Sequence, residues 1–509
     1  MKQSNLPGLL LKGAGAGILL TLGLTWNQLS SFHLDLYHRQ LPIITVIRAI
    51  AIDVALVSLL GVLVVWLLRR VDAQSRSILW AFFAAALSAR AVGGLISAEV
   101  LTRQDITPVH VFALIFVLCA ILWWIRRSWY STAMRVFEGL LLLVGVSIFW
   151  VVPQLLWLGL QHQPSDKLAF ATNVPAQPLA HRRVVWMLFD EASYDQIFDH
   201  RQSGLSMPNF DSFRARSIGF SDVTPDGYFT EEVLPSLLMG QPVDEIRSST
   251  GGNLIYRNAA SSPWKTFDPE TTLFADAHRM HLTTGLVGSY NPYCRLLPQQ
   301  LDSCWTQLLL FGDHLSGAKS TFENVAAPIY ATLARTFHRP LDHTPTDAEK
   351  FQSLMKASED LLGDDNIDFV LIHLPVPHPP GIYQRSTGRT MPGGSYIDNL
   401  ALADDTLGKL QAAIDKTALA SQTTVIVSSD HSWRVPMWRN AIGWTAEDER
   451  ASQGKFDTRP VLMVHLPQET QGETISQPFP ALKEHDMIEN LLKADFTPDS
   501  LKTWADAQH

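Results

Sequence analysis

The sequence predicts a chain of two parts, an α-helical membrane domain followed by an α/β domain with a central, mostly parallel sheet. Two observations in the 509 residues carry this prediction. Residues 1–160 hold long apolar stretches broken by short basic loops, whereas residues 184–509 alternate short apolar runs with polar and Pro/Gly segments. Residues 161–183, which contain three prolines, are predicted to form an interfacial tether between the two parts.

Five stretches of the first part are apolar enough to cross a bilayer, which takes about 20 helical residues. They cover residues 8–26, 43–68, 78–101, 108–125 and 136–160. A cleaved signal peptide is not expected, because the first stretch is one of five. Basic residues concentrate in alternate loops, at Lys2, Arg69, Arg70, Arg76, Arg126, Arg127 and Arg135. The positive-inside rule therefore predicts a cytoplasmic N-terminus and an exported part after residue 160.

Two charges, Asp53 and Arg90, lie well inside predicted spans. An unpaired charge at such a depth costs about 2.5 kcal/mol or more on insertion scales. Because the two residues sit at similar depths on antiparallel neighbours, we expect them to pair and to hold two helices together. A lipid headgroup path lined by the two charges is the alternative.

The net charge argues against nucleic-acid binding, and the cysteine positions predict a disulfide. The formal net charge of −9 and a pI near 6.0 provide no basic platform for nucleic acid. Cys119 falls inside a predicted span, whereas Cys294 and Cys304 lie close together in the exported part. An oxidising compartment and this pairing predict a Cys294–Cys304 disulfide.

Continuous apolar runs rich in β-branched residues predict the strands of the sheet, because strands buried on both faces lack a polar side. The runs are VVWMLFD at 184–190, TTGLVG at 283–288, DFVLIHLP at 368–375, TTVIVSS at 423–429 and RPVLMVHLP at 459–467. Apolar residues at helical spacing predict a helix over 396–417 between two of them. This alternation predicts an α/β architecture.

Polar side chains follow three of these runs. Each singly has a structural explanation, as a helix cap, a hydrogen-bonded core histidine or a chance dipeptide. Reactive groups in α/β sheets collect beyond the carboxyl ends of strands, and carboxylates with imidazoles can hold a divalent metal. The candidate residues are Asp190 with Glu191, His373 with His378, and Asp430 with His431.

On these features the chain resembles the alkaline phosphatase and sulfatase superfamily, and within it the membrane-anchored branch of lipid A phosphoethanolamine transferases and lipoteichoic acid synthases. The matching motifs are the acids at 190, GYFTEEVLPSLLMG at 227–240, IHLPVPHPPGIY at 372–383 and SSDH at 428–431. Members of this branch carry five spans before an exported catalytic domain. The resemblance thus implies a sulfatase-like fold for residues 184–509 and a bacterial inner-membrane protein with a periplasmic domain.

The resemblance also implies a nucleophile at Thr230. Sulfatases read C-x-P-S-R-x-x-L-L-T-G in this segment, and counting ten back from Gly240 reaches Thr230. The transferases place a proline five residues after their threonine, as Pro235 is here. The alternative is that Thr230 only caps the helix that follows. Sulfatase chemistry is disfavoured, because T-E-E-V-L replaces the C/S-x-P/A-x-R pattern that is converted to formylglycine.

By the same resemblance a divalent metal, zinc first with manganese or calcium as alternatives, contacts the Thr230 oxygen and favours its alkoxide. Its expected ligands are Asp190, Asp430 and His431, with Glu191 open as the ligand in place of Asp190. His373 and His378 are expected to stabilise charge on the transferred group or to protonate the leaving oxygen.

Three further residues are candidates for substrate binding. Arg434 follows SSDH where the transferases read G-E-S, and we assign it to phosphate. Glu231 and Glu232 are assigned to a second metal or a cationic headgroup, with helix-dipole compensation as the alternative. No histidine follows between 432 and 464, so compared with the transferases either a second metal or the usual acceptor-side histidine is expected to be missing.

The expected function is therefore a metal-dependent transferase that moves a phospho-headgroup from a phospholipid donor to an envelope glycan or lipid through a covalent phosphothreonine. Two alternatives stay open. One is a phosphodiesterase, phosphatase or sulfatase-like hydrolase, in which water replaces the acceptor. The other is a catalytically inactive envelope scaffold.

Overall fold

The protein is described by a computed structural model over residues 6–22, 43–97, 107–160, 183–248, 254–307, 325–326, 344–439, 443–467 and 471–508. These residues divide into two compact units. The first is helical and holds residues 6–160 together with Ser248 and residues 325–326, and the second holds the remaining described residues from 183 onward. The predicted tether at 161–183 falls, except for its last residue, outside the described residues.

The first unit consists of apolar helices, as expected for a chain whose backbone polar groups must be satisfied within lipid. The helices are α1 (Leu6–Leu20), α2 (Ile43–Leu68), α3 (Ala73–Ser97), α4 (Pro108–Ile125), α5 (Arg127–Val146) and α6 (Ile148–Leu160). Within the described residues, four helical stretches are long and apolar enough to cross a membrane: Ile47–Leu68, Ala73–Leu95, Pro108–Ile125 and Arg127–Leu155.

The comparison with the five predicted spans is close but not complete. The first described helix, α1, is apolar and has 15 residues. The predicted stretch 8–26 continues past residue 22, outside the described residues. The predicted span 136–160 corresponds to the end of α5 together with α6, two helices separated at Ser147. Apolar helices are thus confirmed as the fold of this unit, and four rather than five of them are long enough to cross a membrane among the described residues.

Glycines let α1 pack directly against α2 and α5. A Cβ on Gly15 would overlap the Leu141 carbonyl oxygen, and one on Gly145 would overlap the Leu11 carbonyl oxygen. A Cβ on Gly17 would meet Ser58 in α2. Small residues at such positions allow backbones to approach closely, which is how helices associate where no hydrophobic force drives them together.

The expected pair of Asp53 and Arg90 does not form. Neither carboxylate oxygen of the buried Asp53 has a hydrogen-bond partner, and Arg90 donates from Nε to the Leu20 carbonyl oxygen at 3.1 Å. Among the described residues of this unit, an ion pair joins Lys12 of α1 to Glu138 of α5. The prediction was wrong because similar depth does not fix which faces of two helices meet.

The second unit is built on a sheet of eight strands in the order β14-β2-β13-β12-β1-β9-β7-β8. Strands β12, β1, β9, β7 and β8 are mutually parallel, and β13 is antiparallel to both of its neighbours. The strands are β1 (Arg183–Asp190), β2 (Ile218–Phe220), β3 (Val223–Thr224), β4 (Glu245–Ser248), β5 (Leu254–Arg257), β6 (Lys265–Thr266), β7 (Thr284–Ser289), β8 (Ser303–Gln307), β9 (Phe369–Pro377), β10 (Gly381–Gln384), β11 (Arg389–Gly394), β12 (Thr423–Ser429), β13 (Leu462–His465), β14 (Glu473–Ile475) and β15 (Phe479–Pro480).

All five predicted strand runs are strands of this sheet, which confirms the predicted mostly parallel α/β architecture. The central strands β1, β9 and β12 are buried along their whole length, as their continuous apolar sequences require. Three smaller sheets accompany it: β10 pairs with β11, β15 pairs with β3, and a three-stranded sheet has the order β4-β5-β6.

Helices cover both faces of the sheet. They are α7 (Pro208–Arg214), α8 (Thr230–Met239), α9 (Leu273–Arg279), α10 (Tyr293–Leu296), α11 (Thr344–Leu362), α12 (Tyr396–Ile414), α13 (Val435–Trp438), α14 (Ala446–Ser452), α15 (Glu484–Leu492) and α16 (Pro498–Ala505). On one face α11 and α12 pack on β7 and β9, and Val185, Met187 and Phe189 of β1 join Leu400 and Leu407 in the main core. On the other face α15 packs on β1 and on α8.

A disulfide joins Cys294 in α10 to Cys304 in β8, which confirms the predicted pairing. The third cysteine, Cys119, is free and buried in α4, also as expected. The disulfide therefore ties the segment after β7 to the strand at the edge of the parallel sheet.

The glycine packing of the first unit can be tested with two alanine substitutions in α5. Gly145→Ala forces a methyl group into the α1 backbone, so we expect it to reduce the free energy of unfolding by about 1–3 kcal/mol. The measurement is the unfolding temperature of the detergent-solubilised protein, which should fall. Gly139→Ala is the matched control, because nothing lies within 4 Å of its Cβ position, and we expect no loss of stability. Equal stability of the two variants would contradict close contact between α1 and α5.

Candidate active site

Three adjacent strands bring the predicted site residues together at the carboxyl edge of the sheet. Strand β1 lies between β12 and β9, with Phe189 opposite Ser429 and Leu188 opposite His373. Asp190 ends β1, and Asp430 with His431 follow β12 directly. Because these parallel strands end at one edge, residues some 240 positions apart become neighbours.

Asp190, Asp430 and His431 form a buried cluster whose ligand atoms all lie within 4.8 Å of one another. His431 Nε2 is 3.3 Å from Asp430 Oδ2 and 3.8 Å from Asp190 Oδ1. Within the described residues neither of these two carboxylate oxygens has a hydrogen-bond partner of good geometry, although the Thr230 hydroxyl lies near enough to Asp430 to offset part of the rise in its pKa that burial causes. Buried carboxylate oxygens without partners are costly, and a divalent cation is the ligand that two carboxylates and an imidazole would satisfy.

The tautomer of His431 suits this arrangement. Its Nδ1 lies 3.1 Å from the Ser432 carbonyl oxygen, which can only accept a hydrogen bond. The proton of the neutral ring is therefore on Nδ1, and Nε2 presents its lone pair to the cluster. Burial lowers the pKa of His431 well below its usual value, and the neighbouring Arg434 lowers it further.

Electrostatics also favour a cation at this cluster. Burial raises the pKa of Asp190 well above its usual value, and the negative charge of Asp430 raises it further. Burial likewise raises the pKa of Asp430. Two buried acids this close resist ionising together, and a bound cation would remove that resistance by compensating both charges.

Thr230 is the first residue of α8, and its side chain faces the cluster. Its Oγ1 lies 3.2 Å from His431 Nε2, and the residue is 3% exposed. The residue in the N-cap position is Phe229, so the alternative in which Thr230 merely caps the helix is wrong. A hydroxyl on the first helical turn lies beside unpaired backbone N–H groups and the positive end of the helix dipole, which suits a phosphate.

Glu191 makes a different set of contacts from Asp190. It accepts an ion-pair hydrogen bond from Arg434 Nε, and Trp438 Nε1 donates to its two oxygens at 2.9 and 3.0 Å. Its φ of 68° turns its side chain away from the path of β1. Since both oxygens of Glu191 are occupied and Asp190 supplies an oxygen to the cluster, the geometry favours Asp190 as the ligand. Burial raises the pKa of Glu191 to about 7, against the opposing effect of Arg434.

Arg434, predicted to bind substrate phosphate, is 4% exposed and held inside the unit. Its guanidinium carbon lies 5.7 to 5.9 Å from the ring centres of Tyr228, Phe229 and Trp438. Its positive charge partly offsets the rise in the pKa of the nearby Asp190. The residue thus supplies a fixed cation next to the cluster, anchored by Glu191.

His373 and His378 lie beside the cluster as neutral rings. His373 Nδ1 is 2.7 Å from the Tyr293 hydroxyl and 3.0 Å from the Ser289 carbonyl oxygen, and its buried Nε2 has no hydrogen-bond partner. Burial lowers the pKa of His373 to about 4. The His378 ring lies edge-on to Trp438 with 5.0 Å between centres, and burial with the charge of Arg434 lowers its pKa well below its usual value.

The two acids after Thr230 are half-buried rather than solvent-exposed. Glu231 accepts a hydrogen bond from the Tyr290 hydroxyl at 2.9 Å. Burial raises the pKa of Glu232 to about 7, and the charges of Glu231 and Asp244 raise it further. Neither belongs to the buried Asp190, Asp430 and His431 cluster, which is the one such cluster among the described residues.

Sequence reasoning missed four residues that contact or flank these groups: Tyr290, Tyr293, Trp438 and Glu484. Tyr290 and Tyr293 follow β7, a strand to which no site residue had been assigned. Glu484, at the start of α15, is fully buried, and neither of its oxygens has a hydrogen-bond partner although Ser428 is near. A pair of aromatic residues or a lone glutamate carries no spacing signal that would have marked them.

Comparisons with known proteins support the superfamily resemblance. A family model described as type I phosphodiesterase / nucleotide pyrophosphatase matches residues 271–436. The match includes His373, His378, Asp430 and His431, and it confirms the resemblance to the alkaline phosphatase and sulfatase superfamily. No curated protein matches the chain.

Several solved structures resemble this chain at low sequence identity. The phosphonate monoester hydrolase of Agrobacterium radiobacter is 15% identical, with 61% of this chain and 74% of that chain covered and a TM-score of 0.40. An alkaline phosphatase superfamily protein from Vibrio parahaemolyticus is 13% identical, with 61% and 66% covered and a TM-score of 0.34. Murine ectonucleotide pyrophosphatase / phosphodiesterase 5 is 11% identical, with 61% and 95% covered and a TM-score of 0.35.

The buried pair of Glu191 and Arg434 can be compared with an exposed pair of the same chemistry. At pH 8, where Glu191 is ionised, Glu191→Gln leaves the buried Arg434 charge uncompensated, so we expect a loss of about 3–5 kcal/mol in unfolding free energy. Glu449→Gln breaks the exposed pair with Arg439 and should cost about 1 kcal/mol or less. Denaturant unfolding of the full chain measures both, and equal losses would contradict the tight burial of Glu191.

Glu484 should make stability depend on pH in a predictable direction. Burial raises its pKa in the folded state from 4.5 to about 8, so the folded state keeps a proton that the unfolded chain releases. Stability should therefore fall as pH rises from 4.5 towards 8, by on the order of 3 kcal/mol at pH 7. With a chelator present, the unfolding temperature of Glu484→Gln relative to that of the wild type should increase as the pH rises from 5 to 8. Glu489→Gln, at a partly exposed position of the same helix, is the control, and its unfolding temperature should follow that of the wild type across this pH range. If Glu484→Gln also followed the wild type, the assignment would be refuted.

Proposed function

We propose that this protein is a membrane-anchored, metal-dependent transferase that moves a phospho-headgroup to a cell-envelope lipid or glycan through a covalent phosphothreonine at Thr230. The observation that carries the proposal is the position of the Thr230 hydroxyl, 3.2 Å from His431 Nε2, at the start of a helix and beside the buried carboxylates. A hydroxyl in such a place is protected from bulk water and aimed at the spot where a phosphate would bind.

Asp190, Asp430 and His431 would hold the divalent cation, with zinc preferred and manganese or calcium as alternatives for this mixed oxygen and nitrogen set. When bound, the cation would supply positive charge that lowers the pKa of a neighbouring hydroxyl and offsets charge on phosphate oxygens. The cost of burying Asp190 and Asp430 side by side supports a cation at this position.

The transfer takes two displacements at phosphorus. In the first, Thr230 Oγ1 forms a bond to phosphorus while the bond from phosphorus to the leaving alcohol breaks, and the Thr230 proton passes to water. The leaving alkoxide takes a proton and departs as the alcohol of the donor. In the second, an acceptor hydroxyl loses its proton and forms a bond to the same phosphorus, the bond from phosphorus to Thr230 Oγ1 breaks, and a proton returns to Oγ1, so that the enzyme regains its starting state.

The neighbouring groups divide the remaining roles. The fixed positive charge of Arg434 lies beside the cluster and would stabilise negative charge that grows on the phosphoryl oxygens. His373 offers a lone pair at Nε2, so in this arrangement it accepts rather than donates a hydrogen bond. Proton delivery to the leaving oxygen is therefore assigned to water, or to His378 once it has taken up a proton, because burial keeps its ring neutral at rest. Glu231 and Tyr290, paired beside Thr230, would contact the group that the phosphate carries.

Membrane attachment would place the enzyme near a phospholipid donor. The four apolar helices support an anchor, and the distribution of Lys and Arg supports a cytoplasmic N-terminus. The Cys294–Cys304 disulfide supports an oxidising compartment, such as the bacterial periplasm, for the second unit. An envelope glycan or lipid is the acceptor in this proposal.

A hydrolase is the second candidate, favoured by the match of residues 271–436 to a phosphodiesterase family model. In that case water takes the place of the acceptor hydroxyl in the second displacement. Formation of the phosphothreonine is common to both, and product analysis with and without candidate acceptors separates them.

The intermediate can be trapped directly. Full-length protein in detergent is incubated with zinc and phospholipids labelled in the phosphate, quenched in acid and digested. We expect label on the peptide that contains Thr230, slower labelling in Thr230→Ser and none in Thr230→Ala. Thr406→Ala, a buried threonine in α12, is the matched control and should label like the wild type.

Label that persists in Thr230→Ala would disprove the nucleophile. Absence of stoichiometric metal from the purified protein, together with full function of Thr230→Ala in cells, would instead support a scaffold without catalysis.

A further inference from the structure

Tyr293 contacts His373 but has no part in the two displacements at phosphorus. Tyr293, 1% exposed, places its hydroxyl 2.7 Å from His373 Nδ1, and its ring meets the imidazole edge-on at 85° with 5.9 Å between centres. Strand β7 pairs with β9 so that Gly288 lies opposite His373. The turn after β7 therefore returns the chain over the histidine.

Two features keep Tyr293 in this place. The first is Gly288, where an added Cβ would lie 2.6 Å from the Tyr293 ring, so only glycine leaves room for the ring beside the strand. The second is the disulfide from Cys294, the next residue, to Cys304 in the neighbouring strand β8. The Cys294 backbone N–H also donates to Thr306 Oγ1 at 3.4 Å. The turn is therefore closed covalently and packed against the sheet.

The contacts of His373 Nδ1 decide what the other nitrogen can do. The Ser289 carbonyl oxygen, 3.0 Å away, can only accept, so Nδ1 carries the proton and shares it with the Tyr293 hydroxyl oxygen. Asn291 Nδ2 also donates to that hydroxyl oxygen, at 3.4 Å. The Nε2 atom then carries the lone pair of the ring, and it is buried with no hydrogen-bond partner among the described residues. Asp430 and His431 lie near enough to His373 to influence its charge.

We propose that Tyr293 is a positioning residue, which together with the Ser289 carbonyl fixes the ring and tautomer of His373 so that Nε2 faces the Thr230 site. The inference rests on the proposed function for its consequence in catalysis. The disulfide holds the turn that carries Tyr293, so an oxidising compartment contributes to the order of the site as well as to the stability of the fold. Partners of this kind on functional histidines fix orientation without touching the substrate.

Tyr293→Phe removes the hydroxyl and keeps the ring over Gly288. Tyr256→Phe is the matched control, since Tyr256 is a buried tyrosine whose hydroxyl accepts a hydrogen bond from Gln241 at 3.2 Å, away from the site. Unfolding temperatures of both variants check that the fold is kept.

The first measurement needs neither substrate nor metal. Solid-state NMR of the full chain, labelled with ¹⁵N-histidine and embedded in bilayers, reports which ring nitrogen carries the proton, and His373→Gln identifies the signals. We expect Nδ1–H with an unprotonated Nε2 in the wild type, a changed Nδ1 signal in Tyr293→Phe, and no change in Tyr256→Phe. A proton on Nε2 in the wild type, or an unchanged spectrum in Tyr293→Phe, would overturn the inference.

The second measurement is a double-mutant cycle on the rate of Thr230 labelling. We expect Tyr293→Phe to slow labelling about 10-fold, as loss of an outer partner of a functional histidine typically does. In a His373→Gln background the same change should have no further effect, because Tyr293 acts through His373. Additive losses would point to a merely structural role. A wild type that is never labelled would defeat the proposed function alone, since the NMR result still decides the positioning.

Discussion

The burial of two carboxylates side by side is the constraint on which the functional end of the second unit depends. Asp190 and Asp430 come from neighbouring strands of one parallel sheet, are almost completely removed from water, and direct free oxygens at the same point. Such a pair is unstable unless positive charge compensates it. Arg434 supplies part of that positive charge. The ligand atoms of Asp190, Asp430 and His431 lie close enough together to hold a divalent cation, which would supply the rest.

Other features of the site follow from this constraint. Arg434 itself is buried and requires Glu191, whose left-handed backbone lets it point away from Asp190 although the two residues are adjacent in sequence. His431 and His373 each have a backbone carbonyl at Nδ1, so both rings present Nε2 as an acceptor. The helix that begins at Thr230 completes the arrangement with a hydroxyl and a positive dipole. The same end of the sheet therefore combines acceptor atoms with fixed positive charge, a combination suited to a phosphate ester.

Much of this could be predicted from the sequence, for identifiable physical reasons. Strands buried on both faces leave uninterrupted apolar runs, so β1, β7, β9, β12 and β13 were all found, and with them the residues at their ends. The helix start at Thr230 and the disulfide were visible in local spacing. Contacts that depend on the orientation of faces or of loops were not. The predicted pairing of Asp53 with Arg90 was wrong. The choice between Asp190 and Glu191 as the ligand depends on the backbone angle at Glu191, which the sequence does not reveal. Tyr293 reaches His373 by a turn that has no recognisable sequence pattern.

The order of strands in the sheet has a consequence for how the protein matures. Strand β1 is the first of the second unit to emerge, yet both of its neighbours, β9 at 369–377 and β12 at 423–429, are synthesised long after it. An apolar strand with two open edges must wait for most of the unit to be delivered, and such edges invite pairing with foreign chains. A chain whose C-terminal third is delayed or truncated cannot close the sheet around its first strand. The cluster of Asp190, Asp430 and His431 therefore cannot assemble before β12 has been made, and β1 needs protection from foreign strands until then.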